Sequence, residues 1–213
     1  MIEFSHVSVL LKESVDMLNI KPDGIYVDGT AGGGGHSAEV LSRLGEKGRL
    51  YSIDRDPDAI ATVKKRFEGD KRSTVLHGEF GDMKRLLAEA GVYKVDGVIL
   101  DLGVSSHQLD TAERGFSFHE DAPLDMRMSQ QGATAADLVN SLDYKELCRI
   151  ISAYGEEKYA ASIAKAIVRQ REDSPIKTTL ELAEIIKNNV PQKVRRDGHP
   201  ARKTFQAIRI AVN

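Results

Sequence analysis

The stretch Tyr26-Val27-Asp28-Gly29-Thr30-Ala31-Gly32-Gly33-Gly34-Gly35-His36-Ser37 decides how the chain is read. A short apolar strand, Ile25 to Asp28, runs into a glycine-rich loop, and the loop opens onto helical periodicity from His36 to Leu44. In a parallel sheet such a junction lies at the carboxyl edge, where ligands bind. Glycines there let the backbone approach a ligand with no Cβ in the way. The helix start adds free N–H groups and the positive end of its dipole.

The neighbouring acids indicate which ligand. A dinucleotide fingerprint, G-x-G-x-x-G, is met at Gly32 and Gly34, but its third position holds Ser37. Asp28 ends the strand, where a carboxylate repels a pyrophosphate yet suits the ammonium of a methionine moiety. A second acid, Asp54, ends the next strand, Arg49 to Asp54. It follows the loop by about 20 residues, where a carboxylate accepts hydrogen bonds from both ribose hydroxyls. S-adenosylmethionine has an ammonium, a sulfonium and a ribose but no phosphate, so it fits these acids. The competing reading is a tight βα turn flanked by surface aspartates.

Outward from the loop, helix and strand patterns alternate. Apolar spacing marks helices over Ser8 to Leu18, Asp58 to Phe67 and Met83 to Ala90, with further strands at Ser73 to His77 and Val95 to Asp101. Strands that alternate with helices imply an α/β fold with a parallel sheet, covered on both faces and wound right-handed. After the third strand, Phe80 is placed to stack on a purine, or else to pack as an ordinary core ring. Val98-Ile99-Leu100 is a continuous apolar run, which predicts a buried fourth strand.

That strand ends in Asp101-Leu102-Gly103-Val104-Ser105-Ser106-His107-Gln108. Amino-methyltransferases acting on adenine or cytosine place Asp, Asn or Ser here, often followed by two prolines; this chain has Leu-Gly-Val instead. Asp101 is the candidate catalytic residue. It would accept hydrogen bonds from a target amine and align the nitrogen lone pair with the methyl group, a matter of orientation and electrostatics. Its alternatives are a helix cap or a cofactor contact. Ser105, Ser106 and Gln108 are placed to hold cofactor or a flipped base. His36 is read as acting from the helix start rather than as half of an acid–base pair with His107. No metal is called for.

Beyond Asp101, Leu102 to Arg127 shows no sustained period and reads as a long ordered loop. Helices are predicted at Ala135–Ser141, Tyr144–Tyr154, Lys158–Glu172 and Thr179–Asn189, with Asp143 and Thr178 as caps. Gln192 to Lys203 is a basic loop, and a further helix begins at Thr204. The expected organisation is a cofactor-binding domain of residues 1–108 and 204–213, with an inserted, mainly helical substrate-recognition domain of residues 109–203.

The 213 residues are 41% hydrophobic and 29% charged, as in an ordinary soluble chain, and formal net charge is −2. A nucleic-acid site must therefore come from a local patch. The basic loop supplies one: Lys193, Arg195, Arg196, Arg202 and Lys203 against Asp197, with Arg114, Arg127 and Arg169 as further candidates. Phe116 and Phe118 would stack on bases or pack internally. Cys148 is the one cysteine, which excludes an internal disulfide, and no Cys/His cluster has zinc-ligand spacing. No run of about 18 apolar residues is present, and Met1 to Lys12 lacks the pattern of a signal peptide. A cytoplasmic protein without a membrane partner is expected.

The motifs together resemble the MraW/RsmH family of bacterial ribosomal RNA small-subunit (cytosine-N4)-methyltransferases. The resemblance rests on His6-Val7-Ser8-Val9-Leu10-Leu11, with Ser8 in place of the usual proline, and on the loop ending Gly34-Gly35-His36-Ser37. It continues through Ile53-Asp54-Arg55-Asp56, Gly78-Glu79-Phe80 and Asp101 to Asp110. Arg114-Gly115-Phe116-Ser117-Phe118 and Pro123-Leu124-Asp125-Met126-Arg127-Met128 are its most specific blocks, followed by Tyr154-Gly155-Glu156-Glu157 and Lys203 to Arg209. The resemblance implies a class I methyltransferase fold with an inserted helical domain. It implies S-adenosylmethionine as donor and a cytosine of 16S rRNA, free or in the small ribosomal subunit, as acceptor. It also implies cofactor contacts from Gly34, Gly35, His36, Asp54, Phe80, Asp101 and Gln108. Members of the family continue beyond the helix that starts at Thr204 and there supply the remaining strands. Those C-terminal strands are expected to be missing here, leaving the fourth strand at an exposed edge. The readings weighed against this one are an NAD-type oxidoreductase and a non-catalytic RNA- or cofactor-binding scaffold.

Overall fold

A computed structural model of the chain describes residues 10–196 and 198–213. His6 to Val9 of the opening motif, the start of the helix read from Ser8, and Asp197 of the basic segment lie outside the described residues. The chain forms two compact units, Met1–Ser105 and Ser106–Asn213.

The first unit carries α1 (Leu11–Met17), β1 (Ile25–Asp28), α2 (Gly35–Arg43), β2 (Arg49–Asp54), α3 (Pro57–Arg66), β3 (Ser73–His77), α4 (Met83–Glu89) and β4 (Gly97–Ile99). The four strands pair in parallel in the order β3-β2-β1-β4. The chain steps outward from β1 to β2 to β3, then returns to lay β4 on the other side of β1. That reversal opens a crevice at the carboxyl ends of β1 and β4.

Period-2 alternation sends neighbouring side chains of each strand to opposite faces. Tyr26, Leu50 and Ile99 meet Val15 of α1 and Val40 and Leu41 of α2 on one face. Val27, Tyr51 and Ile53 meet Leu86 and Leu87 of α4 on the other. Covering both faces is what buries Tyr26 and Val27 of β1 and Leu50 to Ile53 of β2. Local signals start α3: the Asp56 side chain accepts from the Asp58 N–H at 3.1 Å, and Pro57 opens the helix.

β4 departs from its expected form. It spans Gly97–Ile99, not Val95 to Asp101, and is not buried: Val98 is 38% and Leu100 43% exposed, and Ile99 alone is covered. Among the described residues β4 pairs with β1 and nothing else, so it is the sheet edge. Its ladder is also closed off at both ends by side chains. Asp96 accepts the Ile25 N–H at 2.9 Å, and the Asp101 N–H goes to Thr30 Oγ1 at 2.7 Å. A short apolar run does not distinguish an edge strand from a central one.

The second unit is helical: α5 (Ser106–Asp110), α6 (Ala135–Ser141), α7 (Tyr144–Gly155), α8 (Ala160–Asp173), α9 (Thr179–Asn188), α10 (Gln192–Arg196) and α11 (Arg202–Val212). Ile151 of α7, Ile163 and Ile167 of α8, Leu182 and Ile186 of α9, and Phe205 and Ile208 of α11 form its buried interior. Asn140 joins α6 to the turn before α9, donating to the Ile176 carbonyl at 2.7 Å and accepting the Ile176 N–H at 2.9 Å. Cys148 is a half-buried free thiol on α7.

Two expectations are corrected here. The loop read over Leu102 to Arg127 contains α5 and a 3₁₀ turn at Ala112–Arg114, each too short to show a period. The basic loop read over Gln192 to Lys203 contains α10, and α11 begins at Arg202 rather than Thr204. α11 packs on α7, within the second unit, whereas residues 204–213 were expected with the cofactor-binding domain. Its apolar face, Phe205, Ala207 and Ile208, is buried. Among the described residues, no helix is long and apolar enough to cross a membrane, and no group of three or more His, Cys, Asp or Glu is arranged to hold a metal.

The predicted caps are present. Asp143 accepts from the Glu146 N–H at 2.8 Å, and Thr178 forms a capping box with Glu181. Replacing Thr178 with Ala is expected to lower the urea midpoint by the equivalent of about 1 kcal/mol. An unchanged midpoint would show that the capping box does not hold in solution.

Candidate active site

Asp28 ends β1 with its carboxylate inside the protein, 1% exposed. One oxygen accepts the Thr30 N–H at 3.1 Å and the other accepts the Ser37 hydroxyl at 2.7 Å. Ser37 Oγ lies 2.8 Å from Ser52 Oγ on β2, so a hydroxyl chain runs from β2 through α2 to the acid. Burial pushes the Asp28 carboxyl above its usual range, and the Ser37 and Thr30 hydrogen bonds pull against that shift. Ser37 occupies the third position of the dinucleotide pattern, where that motif needs glycine for close helix packing.

The loop is pinned to both neighbouring strands. The Gly29 N–H donates to the Ile99 carbonyl and the Ala31 N–H to the Ile53 carbonyl, each at 3.0 Å. Asp54, at the tip of β2, accepts the Gly32 N–H at 2.8 Å and the Asp56 N–H at 2.9 Å. Burial raises its carboxyl as well, opposed by those backbone donors. The Arg55 N–H donates to it as well, and a carboxylate has about four acceptor positions, so these three backbone donors leave room for a ligand hydroxyl. Gly34 caps α2 in the left-handed region, φ 78°. No side chain caps the helix there, so its first N–H groups remain available to a ligand. Arg66 closes the outer side by donating to the Gly33 carbonyl at 2.7 Å.

The tips of β3 and β4 converge on the same loop. A Cβ on Gly29 would lie 2.5 Å from Leu100 Cδ2 and 3.2 Å from Phe80 Cβ, so the backbone must be glycine for both to come this close. Phe80 opens a 3₁₀ turn and is 38% exposed, more open than a core phenylalanine. Asp101 has its N–H held by Thr30 and its side chain 55% exposed. His36, buried at the start of α2, has Nδ1 4.0 Å from Asp101 Oδ2, beyond direct hydrogen-bond reach. Asp28, Gly34, Gly35, His36, Asp54, Phe80 and Asp101 thus gather around one loop of the first unit. Gln108 belongs to the second unit, where it is buried on α5.

The cations named from the sequence separate into different roles. Arg114 donates to the Arg127 and Met128 carbonyls at 2.9 and 3.1 Å, and Arg127 clasps Asp125 with both Nε and Nη2. They brace the loop at 123–128. Phe116 is fully buried, while Phe118 stacks on His199 with ring centroids 4.2 Å apart. Arg169 lines a groove between α8 and α9.

The family model for the MraW methylase family matches residues 3–213. The chain belongs to that family. The protein named ribosomal RNA small subunit methyltransferase H from Clostridium botulinum (strain Loch Maree / Type A3) is 53% identical over 212 residues, 99% of this chain and 69% of its own length. Its namesake from Lachnospira eligens is 55% identical over 214 residues, 99% of this chain and 68% of its own. This chain therefore spans a little over two thirds of these relatives. A solved chain from Clostridium thermocellum overlaps 38% of this chain and 48% of its own at 28% identity and a TM-score of 0.33, too little to bear on the fold. Within the MraW methylase family the parallel sheet and its switch-point loop are those of a class I methyltransferase fold.

Several residues of this site were not singled out from the sequence: Thr30, Ser52 and Arg66. Ser37 was read as the residue that breaks the dinucleotide pattern, not as a partner of Asp28. Thr30 and Asp101 are 71 positions apart, and their pairing is purely tertiary. Thr30→Val keeps the side-chain shape and removes the acceptor. It is expected to cost about 1 kcal/mol and to speed hydrogen exchange at the Asp101 amide, read by NMR. Unaltered exchange there would mean that Thr30 does not hold the β4 tip.

Proposed function

We propose that this chain carries the donor site and the catalytic acid of an S-adenosylmethionine-dependent methyltransferase that modifies N4 of a cytosine in 16S rRNA of the small ribosomal subunit. The observation that supports it most is the set of acids at three neighbouring strand tips, Asp54, Asp28 and Asp101, around a glycine loop at the switch point. This site lies in a member of the MraW methylase family whose relatives bear the small-subunit rRNA methyltransferase name.

The residues fit that donor chemically. Carboxylates ring the loop where a pyrophosphate would be repelled, and Ser37 stands where an NAD site has glycine. Asp54, with three backbone donors on it, has acceptor capacity left for the ribose, and the exposed Phe80 ring offers a face for the adenine. Gly34 turns the chain into α2 with its own N–H held by the Ala31 carbonyl at 2.7 Å, and Gly35 brings a backbone N–H to the methionine end, with the buried Asp28 carboxylate beneath favouring its ammonium. His36 fills the wall between α2 and Asp101. The assignment of Gln108 to the cofactor rests on the family resemblance.

When bound, S-adenosylmethionine would supply a methyl group on a sulfonium, to pass to N4 as its carbon–sulfur bond breaks and leaves the neutral thioether, the amine giving up one proton. Asp101 then does the chain's own work: its carboxylate accepts an N–H of the cytosine exocyclic amine and turns the lone pair toward the methyl carbon. The Thr30 hydroxyl fixes Asp101 through its backbone, so orientation is set before the base arrives. This is an electrostatic and positional contribution, without a covalent intermediate.

Two measurements test the assignments. Asp101→Ala is expected to lower labelled-methyl transfer to small ribosomal subunits by about 100-fold or more, with melting temperature kept. Transfer at the parental rate would remove Asp101 from the chemistry. Asp54→Asn is expected to weaken donor binding by roughly 10-fold or more in calorimetry.

Binding also depends on pH through Asp54. A raised carboxyl pKa favours the protonated form, so the fold gains from Asp54 below its unfolded pKa and loses that gain as pH rises through the folded pKa. The ribose needs the ionised form, so donor affinity should fall on acidification at a pH above the ordinary aspartate value of about 4. Asp54→Asn should abolish that acid limb. An acid limb that survives the substitution would assign it to another group.

A further inference from the structure

One feature of the second unit is unused by the methyl-transfer site. Phe118 and His199 stack nearly parallel, with an interplanar angle of 16°, and Phe205 closes the inner side of Phe118 edge-on at 5.2 Å. His199 is exposed, and its Nδ1 accepts the Ala201 N–H at 3.3 Å, which leaves Nε2–H as a free donor on a neutral ring. Partial desolvation against its neighbours, then His119, Lys187 and Arg202, lower the His199 pKa, in keeping with that neutral ring. The pair lines a groove together with Leu180 and Ala183 of α9, Lys187 and Arg195.

The charged lining is Lys187, Arg195 and Glu184, a net positive edge: Lys187 pairs with Glu184 at 3.0 Å, an exposed ion pair that a phosphate can compete for. Arg195 donates to the Val190 carbonyl through one nitrogen, and its remaining donors are available to a phosphate. Exposed Lys193, Arg202 and Lys203 continue the positive charge along the chain. A ring stack flanked by a basic edge matches how unpaired nucleotides are held: the base on an aromatic face, the phosphates on the cations.

We propose that this groove binds an unpaired nucleotide of the RNA substrate, its base against the Phe118–His199 stack and its phosphate toward Lys187 and Arg195. The proposal rests on the reading of RNA as substrate and assigns it a recognition site separate from the reacting base. Single-stranded RNA is favoured over a duplex because a stacked ring pair needs an unstacked base.

The test uses the full chain and a fluorescein-labelled, mixed-sequence single-stranded ribo-oligonucleotide, with polyglutamate as competitor, and S-adenosylmethionine affinity measured in parallel. His199→Ala is expected to weaken RNA binding roughly 5- to 100-fold. His199→Phe, which keeps a ring, should retain most of the affinity. Lys187→Ala combined with Arg195→Ala should also flatten the salt dependence. Donor affinity should stay unchanged in all three variants. RNA affinity that is equal in the His199→Ala variant, absent in the parent, or matched by polyglutamate in competition would overturn the proposal. Methyl transfer is scored separately. Transfer with no loss of RNA affinity in His199→Ala sinks the groove and spares the enzyme reading. RNA binding through the groove without any transfer does the reverse.

Discussion

A carboxylate held almost entirely out of water needs its hydrogen bonds satisfied, and Asp28 satisfies this through the loop that follows it. Its oxygens take the Thr30 N–H and the Ser37 hydroxyl. The first bond fixes how the chain leaves β1, and the second ties the start of α2 down onto β2 through Ser52. With those two anchors set, Thr30 Oγ1 is positioned for the Asp101 N–H, and the Gly32 N–H for Asp54. The remaining acids of the site are thus held by a loop whose own shape depends on Asp28. Any substitution that leaves Thr30 and Ser37 without that acceptor disturbs all three strand tips together.

The architecture concentrates chemistry in the first unit. The reversal of strand order places the loop beside β4, so one short segment meets Asp54 at the tip of β2 and side chains just past the ends of β3 and β4. The second unit has a different character: braced loops, a helical interior built on α7, α8 and α11, and an aromatic and basic groove. Donor affinity and RNA affinity are therefore expected to respond to different residues.

Much of the first unit was legible in the sequence. β1, β2 and β3 lie where their apolar runs and flanking turns put them, because each is short and bounded; β1 and β2 are buried, while β3, at the other edge of the sheet, is half-buried. Asp143 and Thr178 could be read as caps because capping is local. What failed was non-local. Val98 and Leu100 are as apolar as the residues of β2, and only the sheet order makes β4 an edge. The five residues of α5 are too few to display a helical period. At the site, the acids and glycines announced themselves by type and position, but their partners did not. Thr30 looks like any loop threonine until Asp101 is brought to it. His199 likewise gains meaning only beside Phe118, a residue from a different stretch of the chain.

The central claim is that the switch-point loop receives the methyl donor. A crystal structure of the chain with S-adenosylhomocysteine, the donor stripped of its methyl group, tests it most directly. The account places the amino-acid end over Gly32 to Gly35, the ribose hydroxyls on Asp54 and the adenine beside Phe80. Density for the ligand anywhere else, or a ribose turned away from Asp54, contradicts it.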